Sequence, residues 1–152
     1  MKLSTKGRYG LRAFIDIAIF GENEPVSLAH VAKRQDISIS YLEQLMVKLK
    51  KAGLIVSIRG ASGGYAIAKD QGRISVGDVL RALEGDLAPV DCAAFHEGSH
   101  VCAASDDCAS KIVWKKINDS INETVNNIYI DELVADSKSK NTNREVIITC
   151  KM

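Results

Sequence analysis

The sequence predicts a mainly α-helical protein with one small β-hairpin: a winged helix-turn-helix domain followed by a long C-terminal dimerisation helix. Three observations lead to this fold class. Apolar residues recur at helical spacing in four segments before residue 84. Two short runs rich in β-branched or aromatic residues, 54–58 and 65–68, flank a glycine-rich loop, which is typical of a hairpin. A broad apolar face then runs through residues 112–128, beyond a polar segment that contains cysteines.

The first three helical segments predict a helix-turn-helix. Their inner faces are Leu11, Phe14, Ile15 and Ala18; then Leu28, Val31 and Ala32; then Leu42, Leu45, Met46 and Leu49. Ser27 is suited to cap the short second helix, and either Ser38 or Ser40 the third, where Ser40 and Glu43 have the spacing of a capping box. Gly53 is placed to end the third helix.

The hairpin after the third helix is predicted to be a wing, with Arg59 at the base of its loop. Ser75 and Asp78 have the spacing to open a fourth helix. We therefore divide the chain into four parts: a winged helix-turn-helix DNA-binding domain over residues 1–84, a cysteine-rich cluster-binding loop over 85–110, a dimerisation helix over 111–135 and a flexible tail over 136–152.

The charge of the chain is distributed unevenly. Residues 1–73 carry 12 Lys and Arg against 6 Asp and Glu, whereas residues 74–152 carry 8 against 13, so that balances of +6 and −5 lie behind the net charge of +1. A basic half beside an acidic half favours a polyanionic partner for the first, although solvated basic faces are common. We expect that partner to be double-stranded DNA.

The composition excludes several other classes of protein. A chain of 152 residues is about one domain by length and needs no disulfide framework to bury a core. No apolar run approaches a membrane span, and the N-terminus is amphipathic rather than a secretory signal. We expect a cytoplasmic location, and therefore reduced cysteines that are available for metal or redox chemistry.

Three of the four cysteines, Cys92, Cys102 and Cys108, fall within a single polar loop. Clustered thiolates suit soft-metal ligation, and iron–sulfur clusters are held mainly by cysteine thiolates. The same spacing is compatible with a zinc site or a disulfide switch, and isolated cysteines are often only small buried apolar residues. Cys150 lies in the predicted tail and is not expected to be a ligand.

The DNA contacts are predicted on the outer face of the third helix, on the wing and near the first helix. Recognition helices contact base edges mainly through their N-terminal residues. The predicted DNA-binding residues are Ser38, Ser40, Tyr41, Glu43, Gln44, Lys48, Arg59, Gly60, Ser62 and Gly63. The predicted phosphate clamps are Lys2, Lys6, Arg8 and Arg12, which would supply salt-dependent affinity.

Three stretches closely resemble the Rrf-two family of bacterial winged-helix repressors: MKLSTKGRYGLRA at the start, ISISYLEQLMVKLKKAGLIVSIRGASGGY in the middle and ISVGDVLRALEGDLAPVDC before the cysteine loop. The resemblance covers residues 1–92, and NIYIDELV near residues 127–134 is similar to the end of the family's dimer helix. It implies a homodimer whose long C-terminal helices cross over to the partner.

Within that family, the resemblance is to the IscR-like, cluster-binding branch, and it implies that Cys92, Cys102 and Cys108 are the cluster ligands. Lys111 stands where the family's histidine ligand would be, and Arg8 where some relatives provide an acidic ligand from the partner subunit. His96 and His100 are candidates for a fourth ligand, and a carboxylate (Glu97, Asp106 or Asp107), an exogenous thiol or water are the other options. We favour a 2Fe–2S over a 4Fe–4S cluster, although three ligands do not decide between them. Glu43 matches a glutamate of the family's recognition helix that disfavours binding of the cluster-free protein to one class of sites.

The predicted function is a transcriptional regulator, mostly a repressor, whose specificity depends on an iron–sulfur cluster and which controls cluster-assembly or iron and cysteine metabolism genes. The alternative is a CymR-like repressor that responds to thiol state or to a partner enzyme without a cluster. Expected partners are an operator, a second copy of the chain, and either iron–sulfur assembly proteins or a cysteine-synthesis enzyme. A redox enzyme is disfavoured because no nucleophile constellation or nucleotide loop is present.

Overall fold

A serine precedes each of the first four helices and caps it through its side chain. The computed structural model describes residues 4–91 and 108–141. In it the side-chain oxygens of Ser4, Ser27, Ser38 and Ser75 accept hydrogen bonds from backbone N–H groups in the first turns of their helices. Such caps satisfy amide groups that have no partner within the helix, which explains why the helices begin where they do.

Up to the fifth helix the elements follow the predicted order, with an additional 3-10 turn before the fourth helix. They are α1 (Thr5–Phe20), α2 (Leu28–Gln35), α3 (Ile39–Lys51), β1 (Ile55–Ile58), β2 (Gly64–Ile67), a single 3-10 turn (Gln71–Arg73), α4 (Val76–Glu84), α5 (Lys111–Asn126) and α6 (Ile130–Asn141). The Ser75–Asp78 capping box is confirmed, with hydrogen bonds in both directions. No helix in the described ranges is both long and apolar enough to cross a membrane.

Helix α3 is fixed at both ends by local hydrogen bonds. Ser38 caps it, so the alternative cap at Ser40 with its partner Glu43 is wrong. At the other end Gly53 has a φ of +69°, and Leu54 N–H donates to Leu49 O at 3.0 Å. This is the arrangement in which a glycine in the left-handed region closes a helix. The next residues can then turn directly into the wing.

The wing is a two-stranded antiparallel hairpin in which Ile55 pairs with Ile67 and Ile58 with Gly64. A backbone bridge between Val26 and Tyr65, with both N···O distances at 2.9 Å, ties the hairpin to the turn before α2. The wing is therefore attached to the helix-turn-helix at two places: through the chain that follows α3, and through the bridge to the turn before α2.

Most of the apolar residues predicted to face inward form one core. Phe14, Leu42, Leu45 and Leu49 are completely or almost completely buried, together with Val79 and Leu83 of α4. The prediction for α1 was wrong at one position: Ile17 is buried in the core, whereas Ile15 is half-buried and is not among the residues packed on it. Burial of such side chains contributes roughly 1.5–3 kcal/mol each to folding, an upper estimate because the unfolded chain is already partly compact.

Helices α1 and α4 pack closely because α1 presents small residues to α4. A Cβ at Gly10 would overlap the side chain of Leu83, which is completely buried. The carboxylate of Glu84, the last residue of α4, accepts from Gly7 N–H at 2.8 Å and from the Ser4 hydroxyl. A carboxylate at the N-terminus of a helix also interacts favourably with the helix dipole.

The C-terminal part differs from the single helix predicted over residues 111–135. Helix α5 ends at Asn126, and a short extended segment pairs with the residues before α4: Val76 N–H donates to Ile128 O at 2.8 Å, and Ile130 N–H to Ile74 O at 3.0 Å. These bonds break the helix because they take the chain away from the α5 axis. Helix α6 then begins at Ile130, which is completely buried.

Helix α6 covers the first residues of the segment that was predicted to be a flexible tail. It packs against α1 and the 3-10 turn, and it continues to Asn141, into the range 136–152 that we expected to be flexible. In the part of that range that the structure describes, Lys138 forms a surface ion pair with Glu22, and Lys140 forms one with Asp136. The remainder, with Cys150, lies outside the described residues.

Candidate nucleic-acid interface

The outer face of α3 presents a stripe of exposed side chains. Ser40, Glu43, Gln44 and Val47 lie at i, i+3, i+4 and i+7 and are all exposed, whereas Leu42, Leu45 and Met46 point into the core. Glu43 makes no hydrogen bond or ion pair with any side chain in the described ranges that would hold its carboxylate away from a ligand. The stripe begins in the first turn, where a recognition helix contacts base edges.

Ser38 and Tyr41, also predicted to contact DNA, are partly used by the fold. The Ser38 oxygen accepts from Tyr41 N–H at 3.3 Å as the helix cap. The Tyr41 ring meets the Tyr9 ring edge-on, with 6.2 Å between the centroids, and is half-buried. An edge-on aromatic pair of this kind fixes the position of α3 against α1.

The lysines of α3 are directed to neighbouring elements. Lys48 Nζ donates to the carbonyl oxygen of Leu83 at 2.8 Å, and Lys50 Nζ donates to the hydroxyl of Ser57 on β1 at 2.6 Å. Lys48, which was predicted to contact DNA, is exposed and directs its ammonium group to α4. Lys51 remains exposed at the end of the helix.

The wing loop is open to solvent. Arg59, Gly60 and Ser62 are exposed, and Gly63 is half-buried. Gly60 has a φ of +116°, and Gly63 N–H donates to Gly60 O at 3.0 Å, so the loop closes on itself. Arg59 thus lies at the base of a compact loop. It directly follows β1, on which the Ser57 hydroxyl accepts the hydrogen bond from Lys50.

Of the predicted phosphate clamps, Lys6 and Arg8 are exposed on α1, and Lys2 lies outside the described residues. The guanidinium of Arg8 lies 5.8 Å from the Tyr9 ring centroid, and that of Arg12 lies 5.6 Å from it. Arg12 also donates to the side-chain and backbone oxygens of Gln35 at 3.1 and 3.0 Å. Arg12 is therefore partly used in joining α1 to the end of α2.

Sequence reasoning missed a buried polar network between α1 and α2. Asp16, which is 2% exposed, accepts from Arg34 Nη2 at 2.6 Å and from Gln35 Nε2 at 2.8 Å. The guanidinium of Arg34 also stacks over the Phe20 ring at 4.0 Å. A signal was available, because Asp16 is the one carboxylate in the sequence of α1 and is flanked by Ile15 and Ile17. The network fixes the angle at which α2 leaves α1, and α2 supports the recognition helix.

Cys108 is the one predicted ligand that lies in the described residues. Its Sγ lies 3.1 Å from the Ser110 hydroxyl, just before α5 begins. Hydrogen bonds from the Ser110 hydroxyl and from the backbone N–H groups of Ser110 and Lys111 lower the pKa of the Cys108 thiol. A lowered pKa favours the thiolate, which is the form that binds metals. The chemistry of this donor therefore fits a soft-metal centre.

The other predicted ligands cannot be placed beside Cys108. Cys92, Cys102, His96 and His100 lie outside the described residues. Within ranges 4–91 and 108–141, no three potential metal ligands come together. The part of the chain that the structure describes thus contains the two ends of the cysteine-bearing segment: Asp91, and Cys108 in front of α5.

Comparisons with known proteins agree with this architecture. The Rrf2 family model, described as an iron-dependent transcriptional regulator, matches residues 3–136. The HTH-type transcriptional regulator IscR of Cronobacter sakazakii is 41% identical over 134 residues, which cover 88% of this chain and 80% of that protein. T. potens IscR has a TM-score of 0.74 and 40% identity over 95% of this chain and 93% of its own.

A second solved structure is similar to the same degree. CymR, the global cysteine regulator of B. subtilis, has a TM-score of 0.73 and 36% identity, covering 89% of this chain and 97% of its own. The likeness to these two structures confirms the predicted winged-helix fold class.

Proposed function

Because the chain belongs to the Rrf2 family of transcriptional regulators, we propose that it controls transcription by binding an operator as a homodimer, with an iron–sulfur cluster setting its DNA specificity. The observation that carries the proposal is the exposed stripe of α3, which has the position and the chemistry of a base-reading surface beside an open wing. The proposed site is double-stranded DNA with two half-sites, since a two-fold symmetric protein matches a palindromic sequence.

The side chains of the stripe suit base recognition in the major groove. Gln44 has the donor and acceptor needed to pair with adenine, Glu43 can accept from the cytosine amino group, and Ser40 can bond to either base or phosphate. Arg59, Gly60, Ser62 and Gly63 would follow the backbone or the adjacent minor groove, and Lys6 and Arg8 would contact phosphates. Tyr41 and Ser38 would act mainly by positioning α3.

Helix α5 supports the proposal of a homodimer. Ile112 is 64% exposed and Val113 51% exposed, and the face formed by Ile117, Ile121 and Val125 borders an open groove. Within its own chain α5 packs on α4, with Ile121 and Val125 against the core, while Ile112 and Val113 stay exposed. A second copy would bury these two side chains, and Ile112→Glu should therefore shift the protein toward monomer in sedimentation, with the exposed Lys115→Glu as the control.

Cys92, Cys102 and Cys108 would hold the cluster, and the support available from the structure is the thiolate-favouring environment of Cys108. His96 or His100 would complete the ligand set. A bound cluster would supply a charged, redox-active group that ties the two ends of the cysteine-bearing segment together. We favour a 2Fe–2S form. The genes controlled would then be those for cluster assembly or for iron and cysteine metabolism, mostly by repression.

The response to the cluster would reach DNA through α4. Leu83 and Glu84, at the end of α4, contact Lys48 of α3 and Ser4 and Gly7 of α1. A displacement of this end would move the recognition helix, and the carboxylate of Glu43 would convert a small movement into a change of specificity. A carboxylate facing a groove without a cytosine amino group is desolvated and repelled by phosphates.

The decisive experiment combines anaerobic reconstitution with DNA binding. Wild type should gain visible absorption and a stoichiometric amount of iron and sulfide, and it should shift its operator differently with and without the cluster. Cys92→Ala, Cys102→Ala or Cys108→Ala should each abolish this gain, whereas Cys150→Ala should not. Full iron content in Cys102→Ala would contradict the ligand assignment. Mössbauer spectra would assign the cluster type.

A CymR-like repressor that answers to thiol state or to a partner enzyme is the second candidate. The likeness to the B. subtilis structure is compatible with it, and the lowered pKa of Cys108 suits thiol exchange as well as ligation. Such a protein would stay colourless after reconstitution, and its operator binding would change with oxidants or with a cysteine-synthesis enzyme. Iron–sulfur assembly proteins would be the partners in the first case. Both candidates act in the cytoplasm, and neither is an enzyme.

A further inference from the structure

Val47 is the most exposed large apolar side chain in the described part of the chain, at 67% of its accessible surface. At 3.6 residues per turn it lies between Glu43 and Gln44 around the helix axis, one turn further along α3. It therefore lies on the midline of the stripe that would face DNA, at the C-terminal end of that stripe, and it is the stripe's apolar member.

The fold gives no reason for a valine at this position. A β-branched residue lowers helix propensity, and an exposed one gains no burial in return. Leu45, Met46 and Leu49 around it are buried in the core, whereas Val47 is not among the residues packed against that core. The neighbouring exposed positions of the last turn are lysines, which suit both solvent and the helix dipole.

The major groove offers a specific apolar partner. Among the groups that base pairs display there, the 5-methyl group of thymine is the apolar one, and small apolar side chains contact it. We propose that Val47 is a specificity-determining residue that packs against a thymine 5-methyl group, next to the base pairs reached by Glu43 and Gln44. The inference rests on the proposed function, because it requires α3 to lie in the major groove.

The test removes the methyl group without changing base pairing. A duplex selected by the wild-type protein from a randomised library is resynthesised with each thymine replaced in turn by deoxyuridine. Wild type should bind one such position about three- to fivefold more weakly, the effect expected for one methyl group withdrawn from water. Val47→Ala should lose affinity for the unmodified duplex and bind the thymine and deoxyuridine forms of that position equally.

Two further variants make the outcome specific. Val47→Thr retains a γ-methyl group and should keep part of the sensitivity, while Val56→Ala, an exposed valine on β1, should keep all of it. A full thymine preference in Val47→Ala would overturn the inference, and so would wild-type binding that no single replacement weakens. Gln44→Ala tests the proposed function separately from the role of Val47. If this variant discriminates the selected duplex from random DNA as well as wild type does, the assignment of α3 as the base-contacting helix fails, and the proposal for Val47 fails with it.

Discussion

The ammonium group of Lys48 donates to the carbonyl oxygen of Leu83 at 2.8 Å, which joins the recognition helix to the last turn of α4. Leu83 stands two positions before Gly85, where the predicted cysteine-rich loop begins. A lysine ammonium near a helix C-terminus is favoured both by the free carbonyl groups and by the helix dipole. The bond thus joins the end of α4, just before that loop, directly to the helix that we propose contacts DNA.

Lys48→Met should weaken the dependence of operator affinity on the cluster. The substitution keeps the aliphatic part of the side chain but removes the hydrogen-bond donor. A displacement of α4 would then no longer be transmitted to α3 through this bond. A coupling free energy of typically about 1–3 kcal/mol should fall toward zero, measured as the ratio of operator affinities with and without cluster. Lys51→Met is the control in the same helix. A fall in the salt slope of about 0.9 with an unchanged ratio would instead make Lys48 a phosphate contact.

Glu43→Ala should allow the cluster-free protein to bind sites that otherwise require the cluster. Glu43 is not needed to cap α3, because Ser38 caps the helix in place of the alternative Ser40–Glu43 capping box. Relief of a desolvated carboxylate should strengthen cluster-free binding by roughly 1–3 kcal/mol and reduce discrimination among sites. The measurement is the operator affinity of wild type and variant, each with and without cluster. Full cluster dependence in the variant would mean that another residue makes the distinction.

Arg59→Ala and Gln44→Ala should weaken binding in different ways. Arg59, exposed at the base of the wing loop, should contribute to all sequences, so that its loss lowers the salt slope by about 0.9. Gln44 should contribute about 1–3 kcal/mol at its cognate base pair alone. Salt titrations on specific and random duplexes separate the two effects. Equal losses on both duplexes for both variants would contradict this division.

Asp16→Ala should destabilise the fold strongly. It would leave Arg34 and the buried amide of Gln35 without their carboxylate, at a cost of about 3 kcal/mol, the lower end for buried pairs because Arg34 stays one-third exposed. Glu22→Ala breaks the exposed pair with Lys138 and should change the free energy of unfolding by less than about 0.5 kcal/mol. Urea titrations compare them, and similar small losses would show the network to be dispensable.

Ser110→Ala should raise the pKa of the Cys108 thiol, because the hydroxyl is the leading cause of its lowering. A lowered pKa keeps the thiolate populated at lower pH, so the variant should need a higher pH for the same rate of alkylation. The measurement is the pH profile of iodoacetamide labelling in protein whose other cysteines are serine. In urea the two profiles should coincide. If the pH profiles of the two native proteins coincided, Ser110 would have no part in lowering the pKa of the Cys108 thiol.

Local rules predicted most of the DNA-binding half. The i, i+3, i+4 and i+7 stripes gave the buried faces of α3 and α4, and the serine caps marked where α2 and α4 begin. For α1 the stripe was only partly right, since Phe14 and Ala18 are buried but Ile17 takes the place predicted for Ile15. These features depend on residues within one or two turns of each other. The choice of Ser38 over Ser40 as the cap of α3 was left open, since each serine has a suitable spacing and three-dimensional geometry decides between them.

Features set by distant parts of the chain were missed. The apolar periodicity of residues 112–128 predicted a continuous helix, but the hydrogen bonds of Ile128 and Ile130 with the residues around the start of α4 end α5 at Asn126. Likewise, nothing in the local pattern indicated that the ammonium group of Lys48 donates to the carbonyl oxygen of Leu83, 35 positions away. Hydrogen bonds between elements override a local pattern wherever they satisfy groups that the pattern leaves free.

The bridge between Ser75 and Tyr129 has a consequence for how such proteins diversify. It closes a ring of chain formed by α4, the cysteine-bearing segment and α5, and the closure depends on backbone bonds outside that segment. Lengthening a closed loop costs little, about 0.6 kcal/mol for each doubling. The spacing between the thiols is thereby uncoupled from the stability of the scaffold, so insertions there would alter the geometry of the proposed ligands and leave the proposed DNA-contacting surface unchanged.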